Sequence, residues 1–282
     1  MEVTVIGTGR MGSALVRRLA KQGFDVYAWN RTRDKLRDLP AKAIDDISQA
    51  RGVTFIFVSD DEALNAVKGV GGDVIVLSGT YSIGAVTAFN IRFTSMGKGL
   101  LAAPVVGGPA DVENGTAIYL IGGPESTYQR VKEVFDKLGS IIRLPTAEAA
   151  MALKLAYNSF LIGTMALLGG EYVVLGRTYG VDDDTLRALL TKTVFKEVSE
   201  KYMDRMLRPK SPPSFTLALA AKDVHYAVKS AGDAKTPLIV SSAVKSLYEL
   251  LAVLGFGNED YVRAGLLEIG PQNKDVHGRG DT

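Results

Sequence analysis

A short strand-forming run, Glu2-Val3-Thr4-Val5-Ile6, leads directly into Gly7-Thr8-Gly9-Arg10-Met11-Gly12-Ser13-Ala14-Leu15, and this junction constrains the fold more than any other stretch of the chain. Glycines spaced G-x-G-x-x-G, after a β-branched run and at the start of an apolar helical pattern, open a βαβ unit. Each glycine has its own task. Gly7 permits the tight turn, Gly9 lets a pyrophosphate approach the backbone, and Gly12 lets helix and strand pack closely. The helix N-terminus adds N–H groups and the positive end of its dipole. The expected ligand is therefore a dinucleotide, held at Gly7, Thr8, Gly9, Arg10, Met11 and Gly12.

The rest of the first half repeats the alternation. Strands are expected near 2–6, 25–29, 54–58, 73–77, 99–103, 116–121 and 140–144, with helices starting near Met11, Thr32, Asp61, Ile83 and Pro124. Strand and helix in alternation predict a Rossmann-type, doubly wound α/β sheet. After Leu144-Pro145 the strand signal stops. A 282-residue chain suits two domains: a dinucleotide-binding domain over 1–147, and an all-helical domain over 148–282 entered through a long interdomain helix. Pro209, Pro212 and Pro213 mark a loop between helices, Thr216 to Ser230 and Pro237 to Leu254 read as helical, and the segment from Pro271 on reads as a loose tail.

The end of the second strand discriminates between cofactors. An NAD site places a carboxylate there for the ribose 2′-hydroxyl, whereas this chain reads Asn30-Arg31-Thr32. A guanidinium that can fork a 2′-phosphate, with no carboxylate to repel it, predicts NADP(H).

The long helix holds the second anomaly. Ala149 to Gly170 is almost continuously apolar, yet Lys154 lies inside it and Asn158 follows one turn later on the same face. A lysine in such surroundings needs a partner or a lowered pKa. Other chemistries are restricted by composition. There is no cysteine and there are only two histidines, His225 and His277, which exclude a thiolate nucleophile, disulfides and a histidine-rich metal site. A net charge of +2 with no dense basic run argues against nucleic acid. The chain opens on the first strand with no room for a signal peptide, so the expectation is a cytoplasmic protein, not membrane-bound, whose partner is a small molecule.

Four stretches in this order resemble the β-hydroxyacid dehydrogenase family, which includes 3-hydroxyisobutyrate dehydrogenases and glyoxylate/succinic semialdehyde reductases. They are Gly7 to Gly12; Ala102-Ala103-Pro104-Val105-Val106-Gly107-Gly108 with Gly115-Thr116, similar to D-A-P-V-S-G-G…G-T; Ala150 to Ser159, similar to G-x-x-x-K-x-x-N-N; and Lys222-Asp223-Val224, similar to K-D-L. The resemblance spans nearly the whole chain. It implies an oxidoreductase that moves a hydride between nicotinamide, here of NADP(H) by the reading of Arg31, and a small 3-hydroxy acid or its oxo or semialdehyde form. It further implies Lys154 as general acid and base, Asn158 as the group that orients it or the reacting oxygen, and Val106, Gly107, Gly108, Lys222 and Asp223 at the substrate. Thr80 and Lys222 would reach the cofactor.

Departures from the family pattern bear on the substrate. Val106 stands where the family has serine, Ala102 where it has Asp, Ala150 where it has Gly, and Ser159 where it has the second Asn. Tyr81, His225 and Tyr226 are further pocket candidates, with packing or surface roles as the simpler reading. The alternatives are an imine reductase on the same scaffold, against which Lys154 argues, and a non-enzymatic NADPH-binding sensor. The long apolar helix, more than one small domain can cover, also predicts a homodimer or homotetramer.

Overall fold

The computed structural model describes residues 1–208 and 212–269. The expected tail from Pro271, with His277, and the proline Pro209 lie outside the described residues. The chain packs as two compact units, one made of Met1–Tyr157 with Tyr226–Pro237, the other of Asn158–His225 with the described residues from Leu238 on.

The first unit is built on a nine-stranded sheet. Its strands are β1 (Glu2–Ile6), β2 (Asp25–Trp29), β3 (Lys42–Ala43), β4 (Val53–Ile56), β5 (Val74–Leu77), β6 (Gly99–Ala102), β7 (Val105–Val106), β8 (Ile118–Gly122) and β9 (Ser140–Leu144). They lie in the order β3-β2-β1-β4-β5-β6-β8-β7, and β9 pairs with β8. From β3 to β6 every pairing is parallel, with Val3 opposite Val26 on one side and Val53 on the other. β8 then runs antiparallel to β6 and β7, and β9 is parallel to β8. The central strands β4 and β5 are buried along their whole length, which is why they read as unbroken apolar runs and not as alternation.

The helices are α1 (Arg10–Lys21), α2 (Asp61–Ala66), α3 (Ile83–Ser95), α4 (Pro109–Asn114) and α5 (Glu125–Phe135). α1 has no side-chain cap and no acid in its first turn, and it buries Gly12, Ala14, Leu15, Val16 and Leu19. The expected helix near Thr32 reduces to a 3₁₀ turn, Arg33–Leu36; it buries only Leu36, and one apolar anchor does not hold a full amphipathic helix. The two-residue strands β3 and β7 and the six-residue α4 were not anticipated, being too short to show a period. Phe135 joins the core edge-on to Phe55 at 5.6 Å and Tyr119 at 6.0 Å, and each ring so buried contributes about 1.5–3 kcal/mol.

A continuous helical stretch begins with α6 (Ala147–Leu167), passes through a π-helical turn at Leu168–Val173 and ends with α7 (Val174–Thr178). Gly180, at φ +80°, stops it in the left-handed conformation glycine favours. The helix starts in the first unit, where Glu148 accepts from Thr87 Oγ1 at 3.3 Å and Asn90 Nδ2 at 3.4 Å. It enters the second unit at Asn158. By length and hydropathy it meets the threshold for crossing a membrane. Yet Lys154, Asn158 and Ser159 are buried polar residues, and Asn158 and Ser159 have hydrogen-bond partners in the protein at Asp223 and Ser241, as a core helix requires.

The second unit contains α8 (Asp183–Thr191), capped by Asp182, then α9 (Lys196–Val198) and α10 (Asp204–Leu207) joined by another π turn. The helices α11 (Leu217–Asp233), α12 (Ile239–Val253) and α13 (Ala264–Ile269) follow, with Tyr226–Asp233 of α11 lying in the first unit. The π turn brings Gly170 so close to Gly265 that a Cβ on Gly265 would strike its backbone. Buried Asp260 takes both carboxylate bonds from Arg205 Nη2 at 2.9 Å, and Tyr248 donates to the Tyr261 carbonyl at 2.8 Å.

Candidate active site

The glycine-rich turn is shaped as its sequence requires. Gly7 sits at φ +92°, and a Cβ there would lie 2.5 Å from the Phe57 carbonyl oxygen; one on Gly12 would strike the carbonyl oxygen of Gly7. Gly9 has open space where a Cβ would stand, and it caps α1 with no side chain in the way. The Thr8 N–H donates to Asn30 Oδ1 at 3.0 Å, while Asn30 Nδ2 donates to the Thr32 carbonyl at 2.9 Å. Asn30 thus ties the turn to the end of β2. Thr8 Oγ1 is buried with no hydrogen-bond partner. The open cradle at Gly9, the uncapped helix terminus and the orphaned hydroxyl fit a bound dinucleotide phosphate.

Arg31 is exposed at the end of β2. Beyond it a hollow of about 320 Å³ is lined by Arg33, Asp34, Leu36, Arg37 and Ala43. Two of these guanidiniums are already engaged by carboxylates, Arg33 with Asp45 at 2.6 Å and Arg37 with Asp34 at 3.1 Å. Arg10 is exposed and Met11 half-buried at the start of α1, and Thr80 is half-buried just past β5.

Lys154 is 9% exposed, between fully buried Met151 and buried Leu155, with its Nζ 5.9 Å from the Tyr157 ring centre. The amine stem is thereby covered by apolar neighbours. Asn158, 7% exposed, donates from Nδ2 to Asp223 Oδ2 at 2.6 Å. Asp223 is 2% exposed, and Lys222 Nζ lies 2.9 Å from its other oxygen. That approach is a contact of opposite charges and not an aligned hydrogen bond, since Oδ1 has no hydrogen-bond partner. In the second unit the structure therefore joins three of the expected residues: Asn158, Lys222 and Asp223.

The Val106-Gly107-Gly108 segment departs from expectation in one respect. Gly107 is at φ +139°, but the Gly108 N–H donates to Asp111 Oδ2 at 2.6 Å. A substrate carboxylate at Gly108 would have to displace the aspartate, so that N–H is not an open anion donor. Asp111 was not anticipated, although an acid three residues past a loop glycine carries an N-terminal capping signal.

Tyr81 is not a pocket liner. It is fully buried, its hydroxyl 3.3 Å from the Ile56 and Val58 carbonyls, and burial pushes its phenol above the ordinary tyrosine range. Tyr226 accepts the Asp61 N–H at 3.0 Å, and Asp61 in turn accepts from Ser82 N–H and Oγ. His225 Nδ1 lies 3.0 Å from Glu249 Oε1. The Asp61–Ser82–Tyr226 network was missed because its members are far apart in the chain; only Ser82, a helix-capping residue before Ile83, carried a local signal.

Two family models match in tandem. Residues 2–150 match the NAD binding domain of 6-phosphogluconate dehydrogenase, and residues 149–264 match the domain described as NAD-binding of NADP-dependent 3-hydroxyisobutyrate dehydrogenase. Glyoxylate/succinic semialdehyde reductase 1 of Arabidopsis thaliana is 28% identical over 286 residues, covering 93% of this chain and 96% of the relative. Among solved structures, 3-hydroxyisobutyrate dehydrogenase of Mycobacterium tuberculosis with L-serine superposes with a TM-score of 0.82 at 20% identity, over 94% of this chain and 98% of that one. An imine reductase from Myxococcus stipitatus, in complex with NAD+, gives 0.61 at 17% identity, over 93% and 97%. The fold and the glycine turn define a pyridine-nucleotide oxidoreductase. The chain belongs to the β-hydroxyacid dehydrogenase family.

Proposed function

We propose that the chain is an NADP(H)-dependent reductase and dehydrogenase of small 3-hydroxy acids and their oxo or semialdehyde forms, with Lys154 as the proton-transferring residue. The observation that carries this reading is a lysine 9% exposed on α6, followed one turn later by a buried asparagine on the same face. Bound nicotinamide supplies the hydride in reduction and accepts it in oxidation. Lys154 Nζ–H gives its proton to the carbonyl oxygen as that oxygen takes on negative charge, and the neutral amine takes it back when a hydroxyl is oxidised. Apolar neighbours keep water from competing for the proton. Asn158 orients the reacting groups by hydrogen bonding.

The preference for NADP(H) rests on Arg31, a guanidinium at the end of β2 where a carboxylate would repel a 2′-phosphate. Val106, without the family's hydroxyl, and the engaged Gly108 N–H leave fewer donors for a substrate carboxylate, which favours a less acidic or differently held substrate. Lys222 is the cation that would reach substrate or cofactor, and Thr80, just past β5, would approach the nicotinamide. We further assign the protein to the cytoplasm as a homodimer or homotetramer. Leu153, Tyr157, Phe160 and Leu167 recur at helical spacing on α6 and remain 37–76% exposed, an apolar stripe suited to a second copy. Light scattering that returns only monomer would refute the assembly.

The deciding experiment is Lys154→Ala and Lys154→Met, assayed with NADPH and NADH against glyoxylate, succinic semialdehyde, serine, short 3-hydroxy acids and a cyclic imine. Turnover falls by roughly 10²–10⁴-fold while NADPH still binds by fluorescence titration. Unchanged turnover refutes the lysine mechanism, preferential use of the imine transfers the protein to the imine reductases, and cofactor binding without turnover of any substrate supports a sensor.

A further inference from the structure

Asp223 was expected at the substrate, but its surroundings assign it another task. Its Oδ2 accepts from Asn158 Nδ2 at 2.6 Å, and its Oδ1, which has no hydrogen bond, faces the Lys222 ammonium at 2.9 Å. With 2% of its surface exposed it has almost no area to offer a ligand. A carboxylate paired with an ammonium accepts hydrogen bonds and does not donate them. Only the nitrogen of the Asn158 amide can therefore face it, so the amide orientation follows from chemistry and not from an ambiguous choice between O and N. We infer that Asp223 is a positioning residue: it turns the Asn158 amide so that its oxygen, an acceptor, is presented away from Asp223, and it holds the Lys222 ammonium beside the same anchor.

This inference rests on the proposed proton transfer at Lys154 and deepens it. An amide held with its oxygen outward accepts a hydrogen bond there from an ammonium or a substrate hydroxyl, while its second N–H remains a donor. Asn158 is then matched to the protonated lysine, and to the hydroxyl form of the substrate. The hydrogen bond is also costly to lose, because removing Asn158 or Lys222 would leave a buried carboxylate short of partners.

The test combines a double-mutant cycle with an activity-independent readout. In Asp223→Asn the second amide accepts or donates, so Asn158 is no longer held one way round. The expected result is a fall in kcat of roughly 10–100-fold with KM and NADPH affinity within about threefold, and little further loss when Asp223→Asn is added to Asn158→Ala, because both changes remove one device. A rise in KM with kcat retained, or a full additional loss in the Asn158→Ala background, makes Asp223 a direct substrate ligand and overturns the inference. Side-chain amide NMR of the unmutated protein supplies the second readout and needs no variant to fold. An Asn158 amide proton shifted downfield and protected from solvent exchange supports the anchor, and a freely exchanging one overturns it. If the unmutated protein turns over no substrate, the enzymatic reading fails separately, and this signal still decides whether Asp223 fixes the amide.

Discussion

The glycine turn of the first unit and the Asn158–Asp223 cluster of the second solve the problem of site geometry by different means. The turn is a backbone device: Gly7, Gly9 and Gly12 act through missing side chains, within six residues and one change of direction. The cluster is a side-chain device whose members stand 65 positions apart on two helices. A backbone device is written locally and survives considerable divergence elsewhere, whereas a side-chain device exists only once the fold has closed. Substitutions should therefore act differently in the two. In the turn they should affect cofactor affinity, and near the cluster they should affect turnover or the stability of the helical unit.

The sharpest break in that comparison is Lys154→Ala. It stands on the helix that starts in the first unit and carries Asn158 of the cluster, yet it should act on turnover alone, by roughly 10²–10⁴-fold, leaving NADPH affinity within about threefold. Steady-state kinetics beside a fluorescence titration separate the two effects. A parallel loss of cofactor binding would mean that Lys154 belongs to the nucleotide site and not to the proton path.

Arg205→Met ranks next and is a matter of stability. It strips buried Asp260 of its guanidinium, and Asp260 also caps the turn at Tyr261–Arg263. Breaking such a pair from one side costs about 3–5 kcal/mol, read as a lowered urea midpoint. Arg33→Met, which breaks an ion pair exposed on both sides in the first unit, should cost under about 1 kcal/mol. Equal losses would show that the Arg205 pair is no more than a surface contact.

Arg31→Gln sharpens the first half of the comparison. Without its guanidinium the end of β2 loses a charge-assisted contact with a 2′-phosphate, so the ratio of NADPH to NADH affinity should fall by about tenfold. The change should come from weaker NADPH binding and not from stronger NADH binding. Titration of both cofactors measures it, and an unchanged ratio would move the 2′-phosphate away from Arg31.

How legible each region was in the chain follows from the same difference. The β1–turn–α1 unit, the remaining long strands and the start of the interdomain helix announce themselves by period and by glycine spacing, because the forces that shape them act between near neighbours. Lys42–Ala43 and Val105–Val106 carry no period of their own and become strands only because a neighbouring strand offers its edge. Lys154 was conspicuous as a charge in an apolar run. The partner of Asn158 was not, because a short motif names Asp223 without saying which way it faces. The contact of Asp111 with the Gly108 N–H was hidden for the same reason.

Two buried tyrosines provide the smallest test. Tyr248 in the second unit donates to the Tyr261 carbonyl at 2.8 Å, whereas Tyr81 in the first has only longer approaches of 3.3 Å to the Ile56 and Val58 carbonyls. Tyr248→Phe should cost about 1 kcal/mol, as an ordinary buried hydrogen bond does, and Tyr81→Phe less, with no change in KM, since Tyr81 lies in the core. Burial raises both phenols above their ordinary value of 10.0. A group raised in the folded state keeps its full contribution below its unfolded pKa, and that contribution is lost as pH rises beyond it. Stability should therefore fall as pH climbs past about 10, and each Phe variant should remove part of that alkaline loss. Urea melts at pH 8 and pH 10.5 measure both effects. If Tyr81→Phe raised KM instead, the tyrosine would have to reach the substrate, and the division between a backbone-built nucleotide end and a side-chain-built catalytic end would fail at that residue.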